Sequence, residues 1–382
     1  MECKFLDHGL ALAYQETIKP CCTWQFNEDY KSKHQLHTSN LINWHKHDDI
    51  VAAKKLLQQN IWPKNCAFCE NQETQGRMDS MRLNGMSAYK TYQNDDLTLE
   101  IRPGSVCNFA CQTCWPAASS RVSAFYKQAD IPIQEKLMFT SVDIDKKTNF
   151  DNFDFLQPIA HRIKSVVLLG GEPFYDKNCL QFLDWWDKNT QSELLLFTNG
   201  SQIKFDFLEK TTKKITLVFS LDAAEKPAEY IRFGTEWDKV YNNLLKAQTY
   251  SNVDVRINIT QSVYNYVYLD KLLELFIDNW PSLITFGPVF EAHFNESVIP
   301  LQFRQTIIDR LNVTINKISQ ASIEQGQKQN AMNAIASTIN NLNNTEFNLE
   351  NWEQFKDFVG KMDKVKGINI NHYCPEVAQY IY

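Results

Sequence analysis

Short apolar runs alternate with longer amphipathic segments between residues 96 and 290, and this alternation constrains the fold more than any other feature of the sequence. The six runs are Leu97–Ile101, Ser165–Leu169, Leu194–Phe197, Ile215–Phe219, Val253–Ile259 and Leu283–Phe286. Most of the connections between them are long enough for a helix, which is typical of a parallel sheet. The six units occupy roughly 190 residues, short of the ~250 of a complete eight-unit barrel. The sequence therefore predicts an α/β fold with an open, partial (βα)6 TIM-like barrel.

Three cysteines follow the first run at C-x3-C-x2-C spacing. Cys107, Cys111 and Cys114 lie between a turn at Pro103-Gly104 and a segment after Pro116 that is predicted to be helical. A loop of this length brings three soft thiolates within reach of one iron–sulfur cluster or one zinc ion. Three ligands leave one iron of a four-iron cluster open to another ligand, as a catalytic site requires. The alternative is a zinc loop that a distant Cys or His completes.

A second group of cysteines precedes the barrel. Cys66 and Cys69 have C-x2-C spacing, so two thiolates of one turn can bind the same metal. Cys3, together with Cys21 or Cys22, would complete a set of four ligands. Neighbouring cysteines do not both bind comfortably, and we prefer Cys21. Spacing alone does not separate an iron–sulfur cluster from a structural zinc site in this module.

Polar motifs follow the next three runs in order along the chain. They are Gly170-Gly171-Glu172-Pro173, Thr198-Asn199-Gly200 and Ser220-Leu221-Asp222. In barrels of this kind the chemistry takes place at the carboxyl ends of the strands, which is where these motifs fall. Together with the three-cysteine loop, they resemble the radical S-adenosylmethionine (radical SAM) enzymes, and the resemblance covers roughly residues 96 to 290. A zinc loop would not explain the glycine and asparagine motifs.

The resemblance implies a 4Fe-4S cluster on Cys107, Cys111 and Cys114, with S-adenosylmethionine at its open iron. Glu172 would contact the methionyl amino group, and Arg232 would pair with the carboxylate, which a guanidinium fork suits. Hydroxyl groups of the ribose would bind side chains at two other strand ends. The implied cofactor-binding residues are Gly170, Gly171, Glu172, Pro173, Asn199, Ser220 and Arg232.

The resemblance also implies the reaction. S-adenosylmethionine would be cleaved reductively to a 5′-deoxyadenosyl radical, which abstracts a hydrogen from a substrate, while the protein binds, orients and excludes water. A flavodoxin or ferredoxin would donate the electron, and a peptide or protein side chain is the expected substrate. The same chemistry on a nucleotide or amino sugar is one alternative. A non-catalytic iron–sulfur or zinc protein that binds a partner is another, and no residue stands out as a catalytic acid or base.

The N-terminal module resembles the auxiliary-cluster extension of radical SAM proteins, of the twitch or SPASM type. It has a cysteine pair, a segment carrying Asn43-Trp44, and then Pro63-x-x-Cys66-x-x-Cys69. The resemblance implies a second iron–sulfur cluster that accepts an electron from the substrate or binds the substrate directly. The shorter twitch type fits better, because the cysteines supply about one ligand set. In typical members this extension follows the barrel, whereas here it precedes it. The implied ligands are Cys3, Cys21, Cys66 and Cys69.

Three segments are predicted from these patterns. Residues 1–90 would form the auxiliary-cluster domain and a connector, residues 91–300 the barrel, and residues 301–382 a helical extension. Apolar periodicity predicts one amphipathic helix over 41–57 and further helices over 301–318, 326–342 and 346–362. Cys179 is expected to belong to the core. Cys374 could be an extra cluster ligand or lie near the substrate, but we prefer a buried free cysteine there, since free cysteine behaves as a small apolar residue.

The composition of the chain bears on its cellular compartment and on the chemical state of its cysteines. The 382 residues carry ten cysteines and a net charge of −6. The chain shows neither a secretory signal nor an apolar stretch of membrane-spanning length. We therefore expect a cytoplasmic protein whose clustered cysteines bind metal rather than form disulfides. The acidic balance argues against indiscriminate binding to nucleic acid, and no association with membranes is expected.

Overall fold

The computed structural model describes the chain except for residues 14–16, 26–29, 31–32, 37, 75–79, 94, 134–135, 138–139, 142–149, 151 and 290. The chain divides into two compact units. The first comprises Met1–Val106, Gln134–Leu196 and Lys213–Ile215, and the second comprises Cys107–Ile133, Phe197–Thr212 and Thr216–Tyr382. The boundaries of the three segments predicted from the sequence stay a prediction.

Ten strands are present within the described residues. They are β1 (Gly9–Ala13), β2 (Thr17–Lys19), β3 (Leu97–Ile101), β4 (Lys136–Leu137), β5 (Thr140–Ser141), β6 (Ile163–Leu168), β7 (Glu193–Thr198), β8 (Ile215–Ser220), β9 (Val253–Gln261) and β10 (Leu283–Pro288). The six strands predicted from the apolar runs correspond to β3 and to β6 through β10. Their bounds differ from the prediction by a few residues at most, because the buried apolar positions define each strand.

Helices occupy most of the connections and the C-terminal part of the described chain. In chain order they are α1 (Phe5–His8), α2 (Thr38–Ile42), α3 (Asp48–Gln58), α4 (Ala67–Thr74), α5 (Met81–Ala88), α6 (Ser120–Gln128), α7 (Lys177–Asn189), α8 (Phe205–Lys210), α9 (Glu225–Ile231), α10 (Trp237–Ala247), α11 (Leu269–Leu275), α12 (Leu301–Gln320), α13 (Gln325–Asn344), α14 (Leu349–Lys366), α15 (Ile370–Tyr373) and α16 (Pro375–Ala378). A nine-residue 3-10 segment, Asp154–Arg162, precedes β6.

The sheet of the first unit has the strand order β7-β6-β3-β1-β2. The pairs β1–β3, β3–β6 and β6–β7 are parallel, and only β2 runs antiparallel to its neighbour. The structure places β1 beside β3, with Leu10 opposite Leu99, and both side chains are buried. A strand of the cysteine-rich N-terminal segment therefore belongs to the same sheet as the first predicted barrel strand.

The single helix predicted over 41–57 is divided into three pieces. These are α2, a 3-10 turn at Trp44–Lys46, and α3. His47 takes an extended backbone conformation before α3, which interrupts the helical hydrogen bonding at that point. Two acidic residues in the first turn of α3 then favour a new helix, because carboxylates stabilise the positive end of the helix dipole. Trp44 and Leu57 are still buried, as the apolar pattern predicts.

The second unit contains the strand order β10-β9-β8, with β9 and β10 parallel. Three long amphipathic helices, α12 to α14, follow the last strand, at positions close to those predicted from the sequence. Gly367 ends α14 in the left-handed conformation, with φ of 66°, which glycine adopts at little cost. The predicted α/β class, with mostly parallel strands of a partial barrel and C-terminal helices, is confirmed. Cys179 and Cys374 are fully buried, as expected.

Candidate active site

In the first unit, the glycine-rich turn after β6 holds the backbone that leads to the three-cysteine loop. The Glu172 amide donates to the Val106 carbonyl over 3.0 Å. A side chain on Gly171 would overlap that same carbonyl, so the close approach requires glycine. Cys107 is the next residue along the chain after Val106. The Gly170-Gly171-Glu172 turn therefore fixes the backbone of Val106, the residue that precedes Cys107.

Asp176 strengthens this arrangement, and the sequence alone did not identify it. Its Oδ2 accepts a hydrogen bond from the Val106 amide at 2.8 Å, and its Oδ1 caps α7 by accepting from the Asn178 amide at 2.9 Å. Gly104 allows the carboxylate to approach, because a Cβ there would overlap Asp176. Asp176 is 2% exposed. The buried carboxylate of Asp176 therefore caps α7 and also binds the backbone amide of Val106, the residue before Cys107.

Glu172 lies in the same turn with its side chain fully buried. Its Oε1 accepts from the Phe174 amide over 3.2 Å, and its carbonyl accepts from the amides of Tyr175 and Asp176. Pro173 supplies the fixed φ that this tight turn uses. The carboxylate is held within its own turn, and its contact with a ligand stays a prediction.

In the second unit, the cysteine loop is fixed by the segment that follows α9. The Ala110 amide donates to the Phe233 carbonyl at 2.8 Å, and the Gln112 amide donates to the Ile231 carbonyl at 2.7 Å. These two bonds flank Cys111 on the loop and Arg232 on the other segment. Arg232 Nη1 consequently lies 3.9 Å from Cys111 Sγ. The structure therefore brings together two residues that the sequence places 121 positions apart.

Arg232 is held by a buried acid. Its Nε is 2.8 Å from Asp222 Oδ2, although the N–H does not point at that oxygen, so the contact is an ion pair rather than an aligned hydrogen bond. The other Asp222 oxygen accepts from the Thr260 amide at 2.8 Å. Burial lowers the pKa of Arg232, but Asp222 and the nearby Cys111 thiol raise it above its ordinary value overall. The guanidinium is therefore a permanent positive charge beside Cys111, and Asp222 orients it.

An amide network surrounds Cys107. Asn199, which follows β7, donates from Nδ2 to Asn108 Oδ1 at 2.9 Å, and the same nitrogen lies 3.9 Å from Cys107 Sγ. The Asn199 side-chain oxygen Oδ1 accepts from the backbone amide and the hydroxyl of Ser201, at 3.0 and 2.6 Å. Asn108 completes the ring by donating to Ser201 Oγ at 2.9 Å. The sequence predicted Asn199, but the parts played by Asn108 and Ser201 depend on contacts that it does not reveal.

The three thiols differ in their surroundings. Burial raises the pKa of Cys111, while the positive charge of Arg232 acts in the opposite direction. Cys107 Sγ accepts from the Phe109 amide at 3.4 Å, and Cys114 Sγ lies 3.7 Å from the Trp115 carbonyl. All three thiols are half-buried, so none is sealed in the core. Ser220, another predicted site residue, ends β8 two positions before Asp222 and is half-buried.

The four N-terminal cysteines of the first unit line one cavity. Cys3, Cys21, Cys66 and Cys69 share it with Trp24, Trp62, Asn65 and Arg82, among others. Burial raises the pKa of Cys66, and the neighbouring thiols of Cys21, Cys3 and Cys69 raise it further. Burial likewise raises the pKa of Cys21 to about 11. Thiols that are costly to ionise alone gain most from a bound cation, because metal ligands must be deprotonated.

Cys22 has different neighbours. After burial, the largest influence raising the pKa of its thiol is the carboxylate of Glu100, and its carbonyl accepts from Lys19 Nζ at 3.3 Å. Cys22 does not line the cavity of the other four. This arrangement supports the preference for Cys21 over Cys22 as the predicted ligand.

No group of three or more His, Cys, Asp or Glu side chains lies close enough to hold a single metal ion in the part of the chain that the structure describes. An iron–sulfur cluster makes a different demand, since each thiolate binds its own iron. The donor set of the Cys107 loop, three thiols beside an arginine, matches that chemistry. The described residues also include no helix that is both long enough and apolar enough to cross a membrane.

No protein-family model and no curated protein matches the chain. It is similar to SuiB of Streptococcus suis bound to the precursor peptide SuiA, at 15% identity, with 68% of this chain and 61% of that chain covered and a TM-score of 0.37. A second solved structure is anSMEcpe with bound AdoMet and Kp18Cys peptide, at 18% identity, 59% and 63% coverage and a TM-score of 0.39. A third is TYW1 with a lysine-pyruvate adduct bound, at 16% identity, 74% and 94% coverage and a TM-score of 0.38.

The chain spans about three-fifths of the length of SuiB and of anSMEcpe. Identities below 20% and TM-scores below 0.4 indicate only a weak similarity of backbone structure, and they carry no argument about what this chain does.

Proposed function

We propose that this chain is a radical SAM enzyme. The observation that carries the proposal is the position of Arg232, whose Nη1 lies 3.9 Å from Cys111 Sγ on the three-cysteine loop. A permanent cation beside three thiols can bind an anionic group of a ligand attached at the open iron of a cluster. A structural zinc site has no use for such a cation, since its four ligands already close the metal.

The residues present fit the implied group. Cys107, Cys111 and Cys114 would hold a 4Fe-4S cluster, and when bound, this cluster and S-adenosylmethionine supply one-electron bond cleavage and hydrogen abstraction. Arg232, oriented by Asp222, would hold the carboxylate of S-adenosylmethionine. A flavodoxin or ferredoxin is proposed as the source of the electron.

Further contacts with S-adenosylmethionine are proposed from the strand ends. The buried carboxylate of Glu172 would accept from the amino group, in a turn that Gly170, Gly171 and Pro173 shape. Asn199 and Ser220 would bind the ribose hydroxyls, and the Asn108–Ser201 network fixes the orientation of the Asn199 amide for that purpose.

The N-terminal cysteines are proposed to hold an auxiliary iron–sulfur cluster. The convergence of Cys3, Cys21, Cys66 and Cys69 on one cavity supports this assignment. Four thiolates also suit a structural zinc ion, which would keep the fold of the module but could not carry an electron. A peptide or protein side chain is the proposed substrate, on the resemblance of this module to twitch-type extensions.

The test is an anaerobic reconstitution followed by metal analysis and a cleavage assay. Wild type should contain about eight irons per chain and convert S-adenosylmethionine to methionine and 5′-deoxyadenosine under dithionite. The Cys107→Ala/Cys111→Ala/Cys114→Ala variant should keep about four irons and lose the cleavage. Cys374→Ala is the matched control, because this thiol is buried elsewhere in the second unit and should leave both results unchanged.

Other outcomes separate the alternatives. About four irons plus one zinc in wild type, with the iron lost in the triple variant, would retain the enzyme and make the N-terminal site a zinc site. Zinc without iron, and no cleavage product, would contradict the proposed function and favour a binding protein. Offering a peptide pool and a nucleotide or amino-sugar pool separately would show which class raises 5′-deoxyadenosine formation above the uncoupled rate.

A further inference from the structure

A lysine near the C-terminal end of the chain reaches the three-cysteine loop. Lys366 is the last residue of α14, and it is 8% exposed. Lysine is rarely buried unless its ammonium group has partners. Here Nζ donates to the Ala110 carbonyl and to Gln112 Oε1, each at 2.9 Å. Ala110 and Gln112 are the residues on either side of Cys111.

The loop is thus held from two sides at the same place. On one side, the Ala110 and Gln112 amides donate to the carbonyls of Phe233 and Ile231. On the other side, the single ammonium group of Lys366 binds one oxygen from each of the same two residues. Cys111 lies between these four hydrogen bonds. Its backbone has little freedom to move relative to the segment that carries Arg232.

The surroundings of the ammonium group are mostly apolar. Nζ lies 5.8 and 5.4 Å from the ring centroids of Phe125 and Phe233. Burial lowers the pKa of Lys366 to about 7, Cys111, Asp363 and Cys114 act in the opposite direction, and the positive charge of Arg121 lowers it further. Cys111 and Cys114 are two of the three thiols of the loop. In such a weakly screened environment, a positive charge acts strongly on any negative charge that the loop acquires.

We infer that Lys366 is a positioning residue for the cluster, which fixes Cys111 through Ala110 and Gln112 and makes the cluster easier to reduce. The inference rests on the proposed function. Reduction adds one negative charge to a cluster, so a nearby cation stabilises the reduced state and raises the reduction potential. Hydrogen bonds and net charge around a cluster are established determinants of its potential.

The experiment compares substitutions that separate the hydrogen bonds from the charge. Lys366→Met has a similar length but neither donors nor charge. Lys366→Gln keeps amide donors without charge, and Lys366→Arg keeps both. Lys364→Met, at an exposed position on the same helix, is the matched control for a change of one unit in net charge. All are prepared as full-length chains, reconstituted anaerobically, and checked by thermal unfolding.

The readouts are iron content and the midpoint potential of the cluster, titrated by its electron paramagnetic resonance signal. The ratio of reduced to oxidised cluster at the wild-type midpoint should fall about tenfold in Lys366→Met, which for one electron is a shift of about 59 mV to more negative potential. Lys366→Gln should show most of that shift, Lys366→Arg should recover the wild-type value, and Lys364→Met should match wild type.

A wild-type midpoint and iron content in Lys366→Met would overturn the inference while leaving the proposed function intact. A wild-type chain that binds no iron would overturn both. If Lys366→Met does not fold, the comparison of Lys366→Gln with Lys366→Arg decides: equal midpoints contradict the inference, and a more negative midpoint in Lys366→Gln supports it.

Discussion

The Tyr230 hydroxyl donates to Asp363 Oδ1 over 2.7 Å and so joins α9 to α14. The other oxygen of Asp363 accepts from the Ile370 amide at 2.8 Å. Arg232 follows α9 by one residue, and Lys366 lies one turn beyond Asp363. This hydrogen bond therefore links the two segments that carry Arg232 and Lys366, two of the cations near the cysteine loop; Arg121, which donates to the Asn108 carbonyl, is another.

Removing that hydrogen bond should be costly. Tyr230→Phe deletes a donor to a largely buried carboxylate, so we expect a loss of about 2 kcal/mol in the free energy of unfolding. Urea unfolding followed by circular dichroism measures it. Tyr250→Phe removes a similar bond to Glu209 Oε1 at 2.8 Å on the surface, where water replaces it, and should cost little. Equal losses in the free energy of unfolding of the two variants would show that the Tyr230–Asp363 hydrogen bond stabilises the fold no more than the exposed one.

Asp176 should matter for both stability and metal loading. Asp176→Ala removes the cap of α7 and leaves the Val106 amide without its acceptor, which together should cost about 2 to 3 kcal/mol. Because Val106 precedes Cys107, iron bound after reconstitution should also fall. Asp184→Ala, on the exposed side of the same helix, should change neither quantity. Normal iron loading in Asp176→Ala would refute its part in setting the loop.

Arg232 should be required for binding S-adenosylmethionine. Arg232→Met removes the proposed partner of the carboxylate and should weaken binding at least about tenfold, as one charge-assisted contact is lost. It also leaves Asp222 buried without its cation, at a cost of about 3 kcal/mol in stability. Equilibrium dialysis of the reconstituted protein measures the affinity. Arg256→Met breaks an ion pair of Asp254 that is about one-third exposed, and serves as the control. Unchanged affinity in Arg232→Met would place the carboxylate elsewhere.

Adjacent cysteines provide a sharp test of the N-terminal site. In the background of the triple variant that lacks the cysteine loop ligands, Cys21→Ala should lower the metal content of the chain, because Cys21 lines the shared cavity. Cys22→Ala should leave it unchanged, since Cys22 does not line that cavity. Elemental analysis decides between them. The reverse pattern would make Cys22 the ligand.

His293 should give the stability of the metal-free chain a pH dependence. Burial against Phe294 and Phe358 lowers its pKa from the ordinary 6.5 to about 4. Between these values the unfolded chain binds a proton that the folded chain does not, so stability should fall by about 2 kcal/mol as the pH drops from 6.5 to 4. His293→Phe should show a shallower fall in this window, when both chains are referred to pH 8. Parallel curves would contradict the assignment.

The residues that the sequence could reveal are those whose chemistry is local. Cys107, Cys111 and Cys114 lie within eight residues of one loop, so their spacing alone indicates a shared metal site without any knowledge of distant parts of the chain. Asn199 could be proposed because it follows an apolar run whose end is predictable, whereas Arg232, twelve residues after Ser220, was implied by the resemblance to the family. The six strands follow for the same reason, since each has apolar residues at its buried positions, in a continuous run in Glu193–Thr198 and in alternation with polar residues in Val253–Gln261.

Lys366 could not be found in this way. It is one of many lysines on an amphipathic helix, and its partner Ala110 is 256 residues earlier. Asp176 likewise reads as an ordinary helix cap until Val106 is placed beside it. The extended backbone at His47 divides the helix predicted over 41–57. The spacing of the apolar residues does not reveal this break, because the buried positions on either side of it still follow a helical period. Tertiary packing rather than local preference decides such features.

The parallel pairing of β1 with β3 has a consequence for any attempt to dissect this protein. Gly9 to Leu12 pair with Thr98 to Ile101, so the strand that leads to the cysteine loop is an interior strand only while the N-terminal segment is present. A chain that starts after residue 90 would expose one edge of Leu97–Ile101, a short apolar strand with unpaired amides and carbonyls that can recruit other chains. A chain trimmed to the barrel would then tend to self-associate, because the cysteine-rich segment that carries the proposed metal site also pairs with and protects this strand edge.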